Sequence, residues 1–226
     1  MNFNEYQDIK EAEDRLCYKI VEELKASIDS KGSAHLLVSG GKSPIGLFRK
    51  LSKVNLEWSK VHIGLVDERW VNADSPHSNE RLVRTCLMSN KASEAKFYPL
   101  VNSLTDREEN LRQSQEIYAE VFTEISVVIL GMGIDGHTAS LFPQDVSSQK
   151  HFSDPKQDIL INTNSPSDPR LRISCGKSFL CKAEKVFLYI TGEEKLSVFK
   201  KSKDEYLPIY HFYSELHVFY SSNNAL

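Results

Sequence analysis

The sequence predicts an α/β protein: a doubly wound, mainly parallel sheet flanked by helices on both faces. Three observations predict it. Runs at 36–38, 61–66 and 127–132 are apolar throughout rather than alternating, as strands covered on both faces are. Other stretches carry apolar residues every three or four positions, the spacing of amphipathic helices. Strand-like and helix-like stretches alternate along the chain, the order that builds parallel crossover units.

Taken in order, Ile9, Leu16, Ile20, Leu24 and Ile28 mark an opening helix. The strand at 36–38 runs straight into Ser39-Gly40-Gly41-Lys42-Ser43-Pro44. There Ser43 is placed to cap a helix with Pro44 at its first position, and Ile45, Leu47, Phe48 and Leu51 form the buried stripe. The strand at 61–66 ends in Asp67-Glu68-Arg69-Trp70. A helix over 79–88 and a strand at 97–100 follow. Thr105 and Glu108 read as a capping box ahead of a helix bearing Leu111, Tyr118, Val121 and Phe122. The strand at 127–132 ends in a second glycine-rich turn. Later strands fall at 159–162, 170–174, 186–190 and 217–220, with helices at 177–183 and 193–201. The polar segment 143–155 reads as a surface loop. With no repeat, low-complexity tract or linker, residues 1–226 read as a single α/β domain.

A net charge of −3 creates no global field toward nucleic acid or an anionic membrane. An anionic ligand therefore has to be held by a local cluster of cations and backbone N–H groups. Cys17, Cys86, Cys175 and Cys181 form no C-x-x-C pair and read as reduced, partly buried thiols of a reducing compartment. The polar N-terminus is unlike a secretory signal, and the apolar runs are too short to span a bilayer, so a cytoplasmic location is expected. Neither an H-E-x-x-H nor a Cys/His cluster is present, so no catalytic metal is expected; the lack of G-x-S-x-G argues against a serine-hydrolase elbow.

Parallel sheets of this kind bind ligands beyond the carboxyl ends of their strands. Three strands here end in segments rich in Gly, Asp, Arg or His, and these ends are expected to converge on one pocket. In the first, Ser39, Gly40, Gly41, Lys42 and Ser43 offer a tight turn before a helix, a setting suited to phosphate. The spacing is neither G-x-x-x-x-G-K-[ST] nor G-x-G-x-x-G, and alone the segment also reads as an ordinary strand-to-helix turn. In the second, Asp67 and Arg69 stand at a strand end with His77-Ser78-Asn79 ten residues on; Arg69 suits a phosphate or carboxylate, though a solvated charge run reads as well. In the third, Gly131-Met132-Gly133-Ile134-Asp135-Gly136-His137, three glycines leave the space beside His137 open. Histidine is the side chain that titrates near neutrality, so His137 is the candidate base and Asp135 its candidate orienting partner.

Together these segments resemble the 6-phosphogluconolactonases. The resemblance rests on SGGKSP at 39–44, DERW at 67–70, HSN at 77–79 and GMGIDGHTASLFP at 131–143. Pro169-Arg170-Leu171-Arg172-Ile173-Ser174 and Thr191-Gly192-Glu193-Glu194-Lys195 extend it, in order, over about residues 36–200. It implies the Rossmann-like fold shared with glucosamine-6-phosphate deaminases and hydrolysis of a phosphorylated sugar lactone in the oxidative pentose phosphate pathway. It also implies a phosphate held by the 39–43 loop with Arg69, Arg172 and Lys195, and no cofactor. The partner implied is a small phosphorylated lactone, with no nucleic acid or membrane, and the protein is expected to be a monomer or small homo-oligomer. Two departures are SPSDPRL before Arg172, where a lysine is expected, and a loose match over 206–226. The amino-sugar phosphate deaminases are the nearest alternative, but there D-E is followed by Tyr and D-G-H by I-A-F-N-E-P. Here those positions hold Arg69 and Thr138-Ala139-Ser140-Leu141-Phe142-Pro143. A non-catalytic sugar-phosphate sensor is the alternative from another class.

Overall fold

The computed structural model describes residues 1–154 and 158–223. Its main sheet contains β1 (Asn2–Tyr6), β2 (Ala34–Val38), β3 (Val61–Leu65), β5 (Lys96–Tyr98), β6 (Val127–Leu130), β9 (Lys185–Thr191) and β10 (Leu216–Ser221). The spatial order is β1-β10-β9-β6-β2-β3-β5, and every neighbouring pair is parallel. Helices α1 (Ile9–Lys31), α2 (Ile45–Leu51), α3 (Asn79–Cys86), α4 (Arg107–Val121), α5 (Val146–Ser153), α6 (Lys177–Leu180) and α7 (Glu193–Lys201) accompany it. The central strands are apolar because both faces are covered: Leu36, Leu37 and Val38, like Val127 to Leu130, are almost wholly buried. On one face α4 sets Tyr118 and Phe122 over Gly64, where a Cβ would come within 2.7 Å of the Phe122 ring. A side chain at position 64 would force the helix off the sheet.

From β2 the chain moves outward through β3 to β5, then returns to β6 on the other side of β2 and moves outward again through β9 and β10. The winding reverses between β2 and β6, and the crevice outside their carboxyl ends is where such sheets bind ligands. Ser39 N–H donates to Ile129 O at 2.9 Å across this gap.

Several local expectations are corrected. The segments at 159–162 and 170–174 do not join the main sheet. They are β7 (Leu160–Asn164) and β8 (Leu171–Cys175), which pair antiparallel with each other and with β4 (Asp67–Arg69) in a separate three-stranded sheet. Ser43 does not cap α2; Pro44 holds the cap position with helical dihedrals already, and no side-chain cap bond forms. Thr105 does not open a capping box. Asp106 caps α4 through its carboxylate, accepting from the Glu108 and Glu109 N–H groups, because a charged acceptor is favoured at the positive helix end. Much of 143–155 is α5 rather than loop, capped by Asp145; its buried residues are Ser148 and His151, so no apolar stripe announced it. Pro155 lies outside the described residues. The edge strand β1 was not anticipated either, since NFNEY joins the sheet through its backbone with little apolar side chain.

Candidate active site

The crevice at the β2/β6 switch point holds a cavity of about 220 Å³. The turn after β2 contributes Ser39, Gly40, Gly41, Lys42 and Ser43, and the turn after β6 contributes Gly131, Gly133 and His137. The small sheet brings Asp67 and Arg69 on β4 and Arg172 on β8, while Asn79 comes from the first turn of α3. Tyr189 near the end of β9 and Lys195 on α7 complete the wall. Every site residue expected from the sequence therefore meets at one cavity except Asp135, which stands behind His137 and outside the lining.

The two are joined by a hydrogen bond between His137 Nδ1 and Asp135 Oδ1 at 2.5 Å, and His137 N–H donates to the same oxygen at 3.2 Å. An ionised carboxylate only accepts, so Nδ1 carries the proton toward Asp135 and Nε2 keeps its lone pair. Burial pushes the Asp135 carboxyl upward, but the ring hydrogen bond, the positive charge His137 carries when protonated and backbone N–H bonds outweigh it and hold it below its ordinary value. The turn is closed by Gly133 N–H donating to His137 O at 2.9 Å, and Gly136 sits at φ +77°. A Cβ at Gly133 would lie 2.3 Å from the His137 ring, so the pair requires glycine there. Phe142 backs the imidazole, ring centroid to centroid 4.7 Å.

Ala139 holds a left-handed φ of +51°, costly for a residue with a Cβ. Its neighbours keep it there. Thr138 Oγ1 donates to Gly131 O at 2.8 Å, and Ser140 Oγ donates to Asp67 Oδ2 at 2.6 Å. The Asp67 backbone carbonyl accepts from Asn79 Nδ2 at 2.9 Å, so this buried residue is fixed at the cavity wall without an ion pair among the described residues. Asn79 in turn requires Gly40, where a Cβ would fall 1.9 Å from Asn79 Oδ1. Glu68, between Asp67 and Arg69, turns away and serves the fold. It accepts from Ser78 Oγ and from the Asn79 and Glu80 N–H groups at the start of α3.

Four cations, Lys42, Arg69, Arg172 and Lys195, line the same cavity. Arg69 and Arg172 are in direct register across the β4–β8 pair. Arg172 is 7% exposed and donates from Nε to Pro169 O at 2.8 Å. Burial first, then the charge of Arg69, lowers its pKa. Burial likewise lowers that of Lys195. Arg69 donates from Nη1 to the backbone carbonyl of His77 at 2.7 Å, so His77 contributes its main chain and not its imidazole. Among the described residues, none of Lys42, Arg69, Arg172 and Lys195 forms an ion pair with a carboxylate. Buried side-chain polar atoms without a partner include Arg69 Nε, Asn79 Oδ1 and the Tyr189 hydroxyl, and all three residues line this cavity. A polar, anionic guest would answer both deficits.

Asn79, Ser140 and Tyr189 were not singled out as site residues from sequence. The HSN and GHTAS segments carried a signal for the first two, whereas Tyr189 lies inside an apolar strand and carried none.

The family described as glucosamine-6-phosphate isomerases/6-phosphogluconolactonase matches residues 7–216, wider than the 36–200 span of the motifs. A 6-phosphogluconolactonase of Neisseria meningitidis is 36% identical over 97% of this chain and 98% of its own. One from Mesorhizobium japonicum is 35% identical over 88% of this chain and 83% of its own. Among solved structures, a 6-phosphogluconolactonase from Shewanella baltica superposes with a TM-score of 0.91 at 35% identity, covering 98% of this chain and 97% of that one. That of Thermotoga maritima gives 0.83 at 25%, covering 97% and 98%.

Proposed function

The chain belongs to the glucosamine-6-phosphate isomerase/6-phosphogluconolactonase family, and from that premise we propose that it hydrolyses 6-phospho-D-glucono-1,5-lactone to 6-phospho-D-gluconate, a step of the oxidative pentose phosphate pathway. The observation that carries this reading is one cavity lined both by His137, bonded to Asp135, and by four cations that form no ion pair with a carboxylate among the described residues.

The phosphoryl group binds against the 39–43 turn and is neutralised by Arg172, Lys195 and Arg69. The N–H groups of Gly40, Gly41 and Lys42 have no protein acceptor among the described residues, which suits that turn to an anion. This grip sets the lactone carbonyl before His137, and positioning of that kind contributes several kcal/mol to catalysis. His137 Nε2 removes a proton from water as its oxygen adds to the carbonyl carbon. Asp135 holds the ring's orientation and stabilises the imidazolium that forms. On collapse the bond from the carbonyl carbon to the ring oxygen breaks, and the leaving oxygen takes the proton back from Nε2. The product is the open hydroxy acid, reached without a covalent enzyme intermediate or cofactor. Asp67 accepts hydrogen bonds from sugar hydroxyls.

A cytoplasmic setting accompanies this reading; among the described residues, no helix is long and apolar enough to cross a membrane. The test is enzyme-dependent acid release from freshly made 6-phosphogluconolactone, corrected for spontaneous ring opening. Saturable release is expected. No release above background, or ammonia release from glucosamine 6-phosphate instead, would overturn the reading.

A further inference from the structure

Tyr189 is an anomaly in the apolar strand β9. Its side chain is 2% exposed, it lines the cavity, and its hydroxyl meets no partner among the described residues. Phenylalanine would fill the same space without stranding a polar atom, and a stranded polar atom costs stability. A nearby carboxylate does not remedy this. Glu13 on α1 lies close enough for its charge to add to burial in raising the phenol pKa, yet it is paired with Lys50 at 3.5 Å and makes no hydrogen bond with Tyr189. The phenol is therefore a protonated donor at neutral pH, without an acceptor among the described residues.

The acceptor has to come from the ligand. Tyr189 precedes Lys195 by six residues, across the tight turn at Gly192 that joins β9 to α7, and both line the same cavity as Lys42 and Ser43. The carbonyl end of the ligand belongs elsewhere, beside His137 and Gly133. Resting on the lactonase reading, we propose that the Tyr189 hydroxyl donates to the substrate's phosphoryl group, a neutral contact beside the cations that makes this residue a determinant of specificity for phosphorylated lactones. The charges supply attraction, whereas a hydroxyl donor supplies direction, and its burial leaves it little freedom to be lost on binding.

Tyr189→Phe tests this, because it deletes one oxygen and keeps the ring. The variant is expected to melt without ligand at the wild-type temperature or above it. Its KM for 6-phosphogluconolactone and its Kd for 6-phosphogluconate are expected to rise about tenfold, the scale of a hydrogen bond to a charged group, with kcat within about twofold. Its kcat/KM on unphosphorylated gluconolactone is expected to match wild type. A lower melting temperature would show the hydroxyl satisfied within the fold, and would overturn the proposal. Unchanged KM and Kd, or an equal loss on the unphosphorylated lactone, would do the same. Wild-type turnover with unaltered Tyr189→Phe constants removes this inference alone. Absence of wild-type turnover removes the lactonase reading, while the 6-phosphogluconate Kd still decides the role of Tyr189.

Discussion

Arg69 and Arg172 face each other directly across an antiparallel strand pair, with no carboxylate paired to either among the described residues. Like charges in that register repel and are destabilising. The phosphoryl group of the proposed substrate would supply the countercharge. Burial and the neighbouring charge both depress the Arg172 pKa.

Arg172→Ala is expected to raise KM for the phosphorylated lactone by about 10-fold to 100-fold while changing kcat much less, the pattern of lost ground-state binding. A second readout is linkage. At 100 times its Kd, 6-phosphogluconate should stabilise the wild type by about 2.7 kcal/mol, and the same concentration should stabilise the variant less. Equal thermal shifts in both proteins would count against an anion at this pair.

His137→Ala is expected to reduce kcat by about 100-fold or more with KM little altered, because the role proposed for Nε2 is to act on the attacking water rather than to hold the substrate. Steady-state kinetics decide it, and near-normal turnover would remove His137 from the role.

Asp135→Asn keeps the shape of the pair but supplies a donor where the imidazole needs an acceptor. The ring is then favoured in the tautomer whose Nε2 is protonated, and kcat is expected to fall by about 100-fold or more. The pH dependence of stability also has a sign. The Asp135 carboxyl is held below its ordinary value of 3.8, so its contribution is present above that pH and is lost as pH falls through the folded value. The stability gap between wild type and variant should be constant near neutrality and shrink below about pH 4. Denaturant titrations across that range would reveal a gap that fails to shrink.

Gly133→Ala is expected to abolish most activity while leaving the fold intact. The added methyl would stand 2.3 Å from the His137 ring and 2.6 Å from Asp135 Oδ1, so the pair must open to admit it. Unaltered turnover in a variant with wild-type melting would contradict the geometry.

Far from the site, the His35 and His62 rings lie tilted with centroids 4.9 Å apart, with Phe122 against His35 and Tyr98 bonded to His62. Burial, then the charge of His62, lowers the His35 pKa to about 4; Glu124 opposes this and Lys31 adds to it. Burial and Lys96 lower that of His62. The unfolded chain takes up protons below about pH 6.5 that the folded chain refuses, so stability declines as pH falls from there toward 4. His35→Phe should flatten that decline in urea midpoints measured between pH 7 and 4; identical slopes would refute the assignment.

The elements that sequence revealed best are those governed by local rules. The apolar runs of β2, β3 and β6 and the spacing in α1 follow directly from burial on two faces or one. The elements it concealed are those held by backbone or polar contacts. Strand β1 pairs through its main chain, and α5 buries a serine and a histidine rather than an apolar stripe. At the site, the motifs named nearly every lining residue, yet Tyr189 was invisible because a tyrosine in a strand ordinarily signifies packing.

The sequence by itself determined the order of strands and helices, the glycine-rich turns and the residue types able to hold phosphate and move a proton, since each depends on neighbours within a few positions. Only the tertiary structure decided that Arg69 and Arg172 share a register, that Asp135 stands behind His137 while Asp67 faces the cavity, and that the Tyr189 hydroxyl lacks a partner among the described residues. Those facts join residues from different strands, and strand pairing at that range is set by the packing of the whole chain rather than by any segment of it.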